Sequence, residues 1–181
     1  SRRRPTPASG TATMPLGGTL KPVVHDTYDR AKPQFDTIVQ RLVAADAQAV
    51  MFIGSGTAVV DTGYHSHAAH TVALVGAALH GRALDHILNT HLHSDHCGGN
   101  AALQAAWPGV RTAVPPGQMV HVRHWDTYAL SYTPTGQECP QFRCDAVLQP
   151  GSEVPLGDKP WQVHAAPGHD PHSIVLFEPQ D

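Results

Sequence analysis

The chain has 181 residues, with 12 Lys and Arg against 15 Asp and Glu, and a formal net charge of −3 when its 14 histidines are neutral. That balance supplies no basic field for nucleic acid, and no apolar run approaches the roughly 18 residues that a membrane span needs. Hydrophobic residues at 41% and charged residues at 15% fit one globular domain, a size at which roughly 70% of the unfolded surface can be buried.

In chain order, residues 1–22 are rich in Arg, Pro, Thr and Gly without apolar periodicity, and read as a disordered tail with Arg2, Arg3 and Arg4 at its tip. A folded domain is expected over 23–181. No signal-peptide pattern opens the chain, although Ser1 leaves a lost native start open. The cytoplasm is therefore the expected compartment, with a periplasmic or secreted location not excluded. Phe35, Ile38, Val39, Leu42 and Val43 recur at helical spacing. Ala49–Ile53 and Thr57–Asp61 flank Gly54, Ser55 and Gly56 as strands of a hairpin that brings Asp61 to a strand end. Ala68, Val72, Val75 and Leu79 form one helical stripe. Leu84–Asn89 is a buried strand, whose C-terminal end is where open α/β sheets commonly place ligands.

That strand runs into Thr-His-Leu-His-Ser-Asp-His-Cys-Gly-Gly-Asn, residues 90–100. In an extended backbone, side chains two positions apart share a face, so His91, His93 and Asp95 converge while Leu92 turns inward. His96 breaks the alternation, and Gly98 with Gly99 allows a sharp turn that swings it beside Asp95. Neutral imidazole and carboxylate are ligands for zinc or iron at about 2.0 to 2.2 Å. Even in a chain this rich in histidine, chance gives such a pattern in on the order of one sequence in two hundred.

Further along, Ala101–Trp107 suits a helix, Val110–Val114 a strand and Gln118–Tyr128 a helix carrying His121 and His124. Residues 131–150 show no periodicity and read as a functional loop that could cover a site. Glu153–Leu156, Trp161–Ala165 and Ser173–Phe177 read as strands. Cys97, Cys139 and Cys144 do not describe a disulfide scaffold. Cys139 and Cys144 could pair in an oxidising compartment but are expected to be free thiols, while Cys97 could approach a metal or be oxidised.

The stretch from Thr90 to Gly99 resembles the signature loop of the metallo-β-lactamase superfamily, which includes glyoxalase II and lactonases. Val59-Val60-Asp61-Thr62-Gly63 is similar to the strand end that precedes that loop, and Ala166-Pro167-Gly168-His169-Asp170 to a later Pro-Gly-His segment. The likeness covers about Ala49 to Glu178. It implies an α/β fold, an αββα sandwich incomplete at the C-terminus. It also implies one or two zinc ions, with iron or manganese as alternatives. His91, His93 and His169 would hold the first ion, and Asp95 and His96 the second. Asp61 would support the loop by hydrogen bonds without binding metal, the alternative being a helix cap. His65 and His172 are candidate pocket residues, whereas His67, His70, His121 and His124 read as face residues.

The chemistry implied is hydrolysis of an ester, thioester, lactone or lactam in a small molecule by a metal-bound hydroxide, with Asp95 orienting it and moving its proton. Two alternatives remain at this point: a mononuclear iron dioxygenase acting on a sulfur substrate, and a truncated metal-binding module without turnover. The superfamily's bridging aspartate and last histidine have no counterpart before Asp181, so a fragment, or association into a homo-oligomer, is expected.

Overall fold

The computed structural model describes residues 57–157 and 159–178. The expected tail, the helix within 23–45, the strand at 49–53 and Asp181 lie outside the described residues. Strands β1 (Ala58–Val60), β2 (His86–Leu88), β3 (Arg111–Val114) and β4 (Ala146–Val147) form a parallel sheet in that order. A parallel neighbour needs a crossover, and the first is supplied by α1 (Ala68–Leu79), preceded by a 3-10 turn at His65–His67. Helices α2 (Ser94–Cys97) and α3 (Asn100–Ala106) link β2 to β3, while α4 (Met119–His124) and α5 (Tyr132–Thr135) lie between β3 and β4. Strands β5 (Glu153–Leu156), β6 (Lys159–Ala165) and β7 (Ile174–Phe177) form a second, antiparallel sheet.

Strand alternation decides how these layers stack. Val59 and Ile87 face one side, against Val75 and Leu79 of α1 and Leu103 of α3. Their neighbours Val60 and Leu88 face the other side, against Leu156, Val163 and Ile174 of the second sheet. Ile87 and Leu88 are almost fully buried, each contributing about 1.5 to 3 kcal/mol. Helices, sheet and sheet therefore stack in the α/β sandwich order. Among the described residues, the outer face of the second sheet, where Val175 and Phe177 are exposed, carries no helix.

Two expectations are corrected. The helix expected over Gln118–Tyr128 ends at His124, because Trp125 turns left-handed (φ 50°) and Asp126 Oδ1 accepts the N–H groups of Tyr128 and Ala129, starting a new turn. The 131–150 segment is not structureless: it contains α5 and β4. Its order comes from distant bonds that leave no local periodicity. The Gln104 amide bridges Thr112 Oγ1 and the backbone of Arg143, and Asp145 Oδ2 accepts the Thr112 N–H.

Candidate metal centre

The site begins where β1 and β2 end side by side. After Val60 the chain turns through Asp61 in the left-handed region (φ 55°), which a short polar side chain tolerates better than most. Asp61 Oδ1 accepts the Thr90 N–H at 2.8 Å, and Oδ2 accepts both the Thr90 hydroxyl at 2.6 Å and His96 Nδ1 at 2.8 Å. Thr62 N–H donates to the His96 carbonyl, and the Thr62 hydroxyl donates to Asn100 Oδ1, whose amide in turn donates to Asn89 Oδ1. All four of Asp61, Thr62, Asn89 and Asn100 are buried, and they hold one another with their polar groups satisfied.

Gly98 and Gly99 serve this contact by lacking a side chain. A Cβ at Gly98 would lie 2.4 Å from the His65 backbone nitrogen, and one at Gly99 would lie 2.4 Å from the Thr62 carbonyl oxygen. They do turn the chain between α2 and α3, but with φ of −61° and −86° that need no glycine, and it is the helical turn α2, Ser94–Cys97, that sets His96 beside Asp95. For the same reason Asp95 does not continue an extended alternation with His91 and His93. It lies on α2 with His96, whose Nε2 is 3.6 Å from Asp95 Oδ2.

His91, His93 and His169 converge so that one nitrogen of each lies within 4.8 Å of the others. His91 and His93 leave the end of β2, and His169 comes from the connection between β6 and β7. His93 Nδ1 and His169 Nε2 are 2.9 Å apart, close enough to share a proton. Asp170, buried beside them, places Oδ2 3.7 Å from His93 Nε2.

The tautomer of His91 follows from its neighbours. The Thr90 hydroxyl gives its one proton to Asp61, so His91 Nδ1, 3.2 Å away, must be the donor to Thr90 Oγ1. Nε2 is then a bare lone pair, and it is buried with no hydrogen-bond partner among the described residues. Burial first, and then the His96 imidazole, push the His91 pKa down to about 4 despite the Asp61 carboxylate. Burial would also lower His96, but the hydrogen bond and charge of Asp61, with Asp95 beyond, outweigh it and raise that pKa. An orphaned acceptor beside two further imidazoles fits a cation.

The family model described as the metallo-beta-lactamase superfamily matches residues 45–181. The chain belongs to the metallo-beta-lactamase superfamily. It is 33% identical over 123 residues to a protein of Anaeromyxobacter dehalogenans named hydroxyacylglutathione hydrolase, covering 68% of this chain and 38% of that one. It is 30% identical over 97 residues to glyoxylase B2 of Dictyostelium discoideum, covering 52% of this chain and 32% of that one. The metallo-beta-lactamase of Cronobacter sakazakii with a HARLDQ motif shares the fold at a TM-score of 0.55 and 24% identity, over 68% of this chain and 47% of that one. The chain thus spans less than half the length of each.

The remaining candidates lie outside the converging histidine group. His65 lines an open cleft of ≈ 470 Å³ with Thr127, Tyr132, Gln137 and Cys139. None of the three converging histidines lies in its wall, but Gln137 Oε1 accepts the Ser94 N–H at 3.0 Å, so the segment that shapes the cleft is bonded to α2. His172 donates its N–H to Asp170 Oδ1, and its ring sits against Gly117, where an added Cβ would be 2.9 Å from Cε1. His67, His70, His121 and His124 join no metal-ligating group among the described residues. The three cysteines are free thiols, but the neighbour of Cys139 is Cys97, not Cys144.

Thr90, Asn89, Asn100, Asp170 and Gln137 were not singled out by the sequence. Thr90, Asn100 and Asp170 carried a signal, since each lies within a quoted motif stretch, and Asn89 ends the strand before one. Gln137 carried none, because its partner is 43 residues away.

Proposed function

We propose that this chain carries the metal centre of a hydrolase that attacks the acyl carbonyl of a small-molecule ester, thioester, lactone or lactam. The observation that carries the reading is the convergence of His91, His93 and His169 around the unpartnered Nε2 of His91. These three would hold the ion, zinc first with iron or manganese as alternatives. When bound, such an ion supplies Lewis acidity and a water whose pKa falls to about 7. Asp61 and Thr90 fix the His91 tautomer, so no proton has to leave Nε2 before a ligand bond forms. Asp95 and His96, with Oδ2 and Nε2 3.6 Å apart, are assigned to the neighbouring second position, and Asp95 to orienting the attacking hydroxide and moving its proton. His65, in the wall of the cleft, is assigned to substrate. The name of the Anaeromyxobacter relative favours a thioester within this class.

The test combines element analysis of the purified chain by plasma mass spectrometry with a panel of thioesters, esters, lactones and lactams, assayed with and without chelator. Chelator-sensitive hydrolysis that falls by about 100-fold or more in His91→Ala is expected. Equal turnover by His91→Ala would sink the proposal. Bound iron with oxygen uptake on a sulfur substrate would replace it with the dioxygenase reading.

A further inference from the structure

Helix α2 carries a second chemical feature besides Asp95 and His96, the buried thiol of Cys97. Cys97 is fully buried, and its Sγ lies 3.1 Å from the Tyr132 hydroxyl and 3.7 Å from Cys139 Sγ. Cys139 is only partly buried and forms part of the wall of the open cleft, so a small solute in the cleft reaches this thiol first. The two positions are 42 residues apart in sequence and lie on different segments. One is the helical turn that follows His93, and the other is the segment whose Gln137 already bonds Ser94. Cys144, five residues beyond Cys139 in sequence, is directed elsewhere, with its Sγ 3.8 Å from the Met119 carbonyl oxygen.

We propose that Cys139 is an oxidative modification site for hydroperoxides entering this cleft, with Cys97 as the resolving thiol that converts the product to a Cys97–Cys139 disulfide. Cys139 sulfur attacks the distal peroxide oxygen. The O–O bond breaks, the peroxide is reduced by two electrons to an alcohol or water, and the thiol proton leaves with it. The resulting sulfenic acid then meets Cys97, whose sulfur forms the S–S bond as the S–O bond breaks. The hydroxide released takes the Cys97 proton and departs as water. The sulfurs must close from 3.7 Å to about 2.05 Å for the bond to form. Tyr132 lies against Cys97 and packs with Trp125, so the pair sits on a fixed wall. The bond would strap the 131–142 segment covalently to the helix that carries Asp95 and His96. This inference does not depend on the hydrolase reading.

The decisive experiment treats the intact, chelated chain with a stoichiometric amount of hydrogen peroxide, then alkylates, digests without reductant and maps the peptides. The expected result is a mass loss of about 2 Da, a fall in titratable thiols from three to one, and a single cross-link between Cys97 and Cys139. Dithiothreitol restores all three, and Cys144→Ser forms the same bridge. Cys139→Ser forms none. Because Cys139→Ser could fail to fold, Cys144→Ser and the unaltered chain decide independently. A bridge to Cys144, a bridge between two chains, Cys139 accumulating as sulfinic acid, or three unchanged thiols would each overturn the proposal.

Discussion

The three converging histidines are delivered by two regions held in opposite ways. His91 and His93 belong to residues 89–100, a segment bonded to residues 61–65 by buried side chains and by backbone that approaches too closely for any Cβ. His169 sits on the exposed connection between β6 and β7. Its backbone ties are mainly local, from Ala166 to Ser173, from Ser173 to Asp170 and from His172 to Asp170, with one backbone bond from Ile174 to the Thr90 carbonyl, and its links to the prepared region are otherwise the side-chain contacts of His169 and Asp170 with His93. One region is thus fixed by folding itself, whatever ion is present. The other brings a ligand to a place already prepared, so ion affinity and fold stability should separate across the two.

Glycine substitutions should show the largest contrast. Gly99→Ala forces a methyl into backbone oxygen, and with no flexible neighbour to yield it should cost about 2 to 4 kcal/mol, or leave the chain insoluble. Gly168→Ala, one residue before His169, meets nothing within 4 Å and should change stability by no more than about 0.5 kcal/mol. Urea unfolding of both variants checks this, and equal losses would erase the distinction between the regions.

The next contrast sets Asp61 against His169. Asp61→Asn loses an ionic acceptor for Thr90 and His96, so it should lower stability by about 1 to 3 kcal/mol and zinc affinity by about 10 to 100-fold. His169→Ala removes a ligand from an exposed loop, so zinc affinity should fall while the melting temperature of the metal-free chain stays within about 2 °C. Chelator competition and thermal melts measure both quantities on the same samples. A metal-free melting temperature that drops equally in the two variants would mean that the exposed connection is structural.

How far the site could be read from the sequence follows the same division. His91, His93 and His169 were legible because motif spacing and chain order place them, and Asp61 because it ends a strand beside the loop. The strands β1, β2 and β3 were legible because their apolar runs are the core itself, and β5, β6 and β7 because Leu156, Val163 and Ile174 bury one face of each. What failed was backbone detail. Treating 91–95 as extended overlooked the turn α2, for which a four-residue helix leaves no periodicity. The role of Gly98 and Gly99 was read as local flexibility, whereas it is a close approach to Thr62, Gly63 and His65, 33 to 37 positions earlier. The Cys97–Cys139 contact and the Gln137–Ser94 bond join points too distant in sequence for any local pattern to register.

The smallest expected effect tests the prepared region by its protons. His91 has its pKa lowered from 6.5 to about 4 by burial first and then by His96, so between those values the unfolded chain binds a proton that the folded chain refuses. Stability must then fall as pH drops from 6.5 towards 4, by about 1 to 2 kcal/mol once solvent screening is allowed for. His96 acts in the opposite sense. Its folded pKa is raised above 6.5 because Asp61 and Asp95 outweigh burial, so its contribution is complete below pH 6.5 and is lost as pH rises through the folded value. Together the two groups place a stability maximum near pH 6.5 in the metal-free chain. Thermal melts in chelator from pH 4 to pH 9 should show both limbs, and His91→Gln should flatten the acid limb while leaving the alkaline one. An unchanged acid limb in that variant would mean that His91 is protonated in the folded chain, and a protonated Nε2 would not be the bare acceptor on which the metal centre depends.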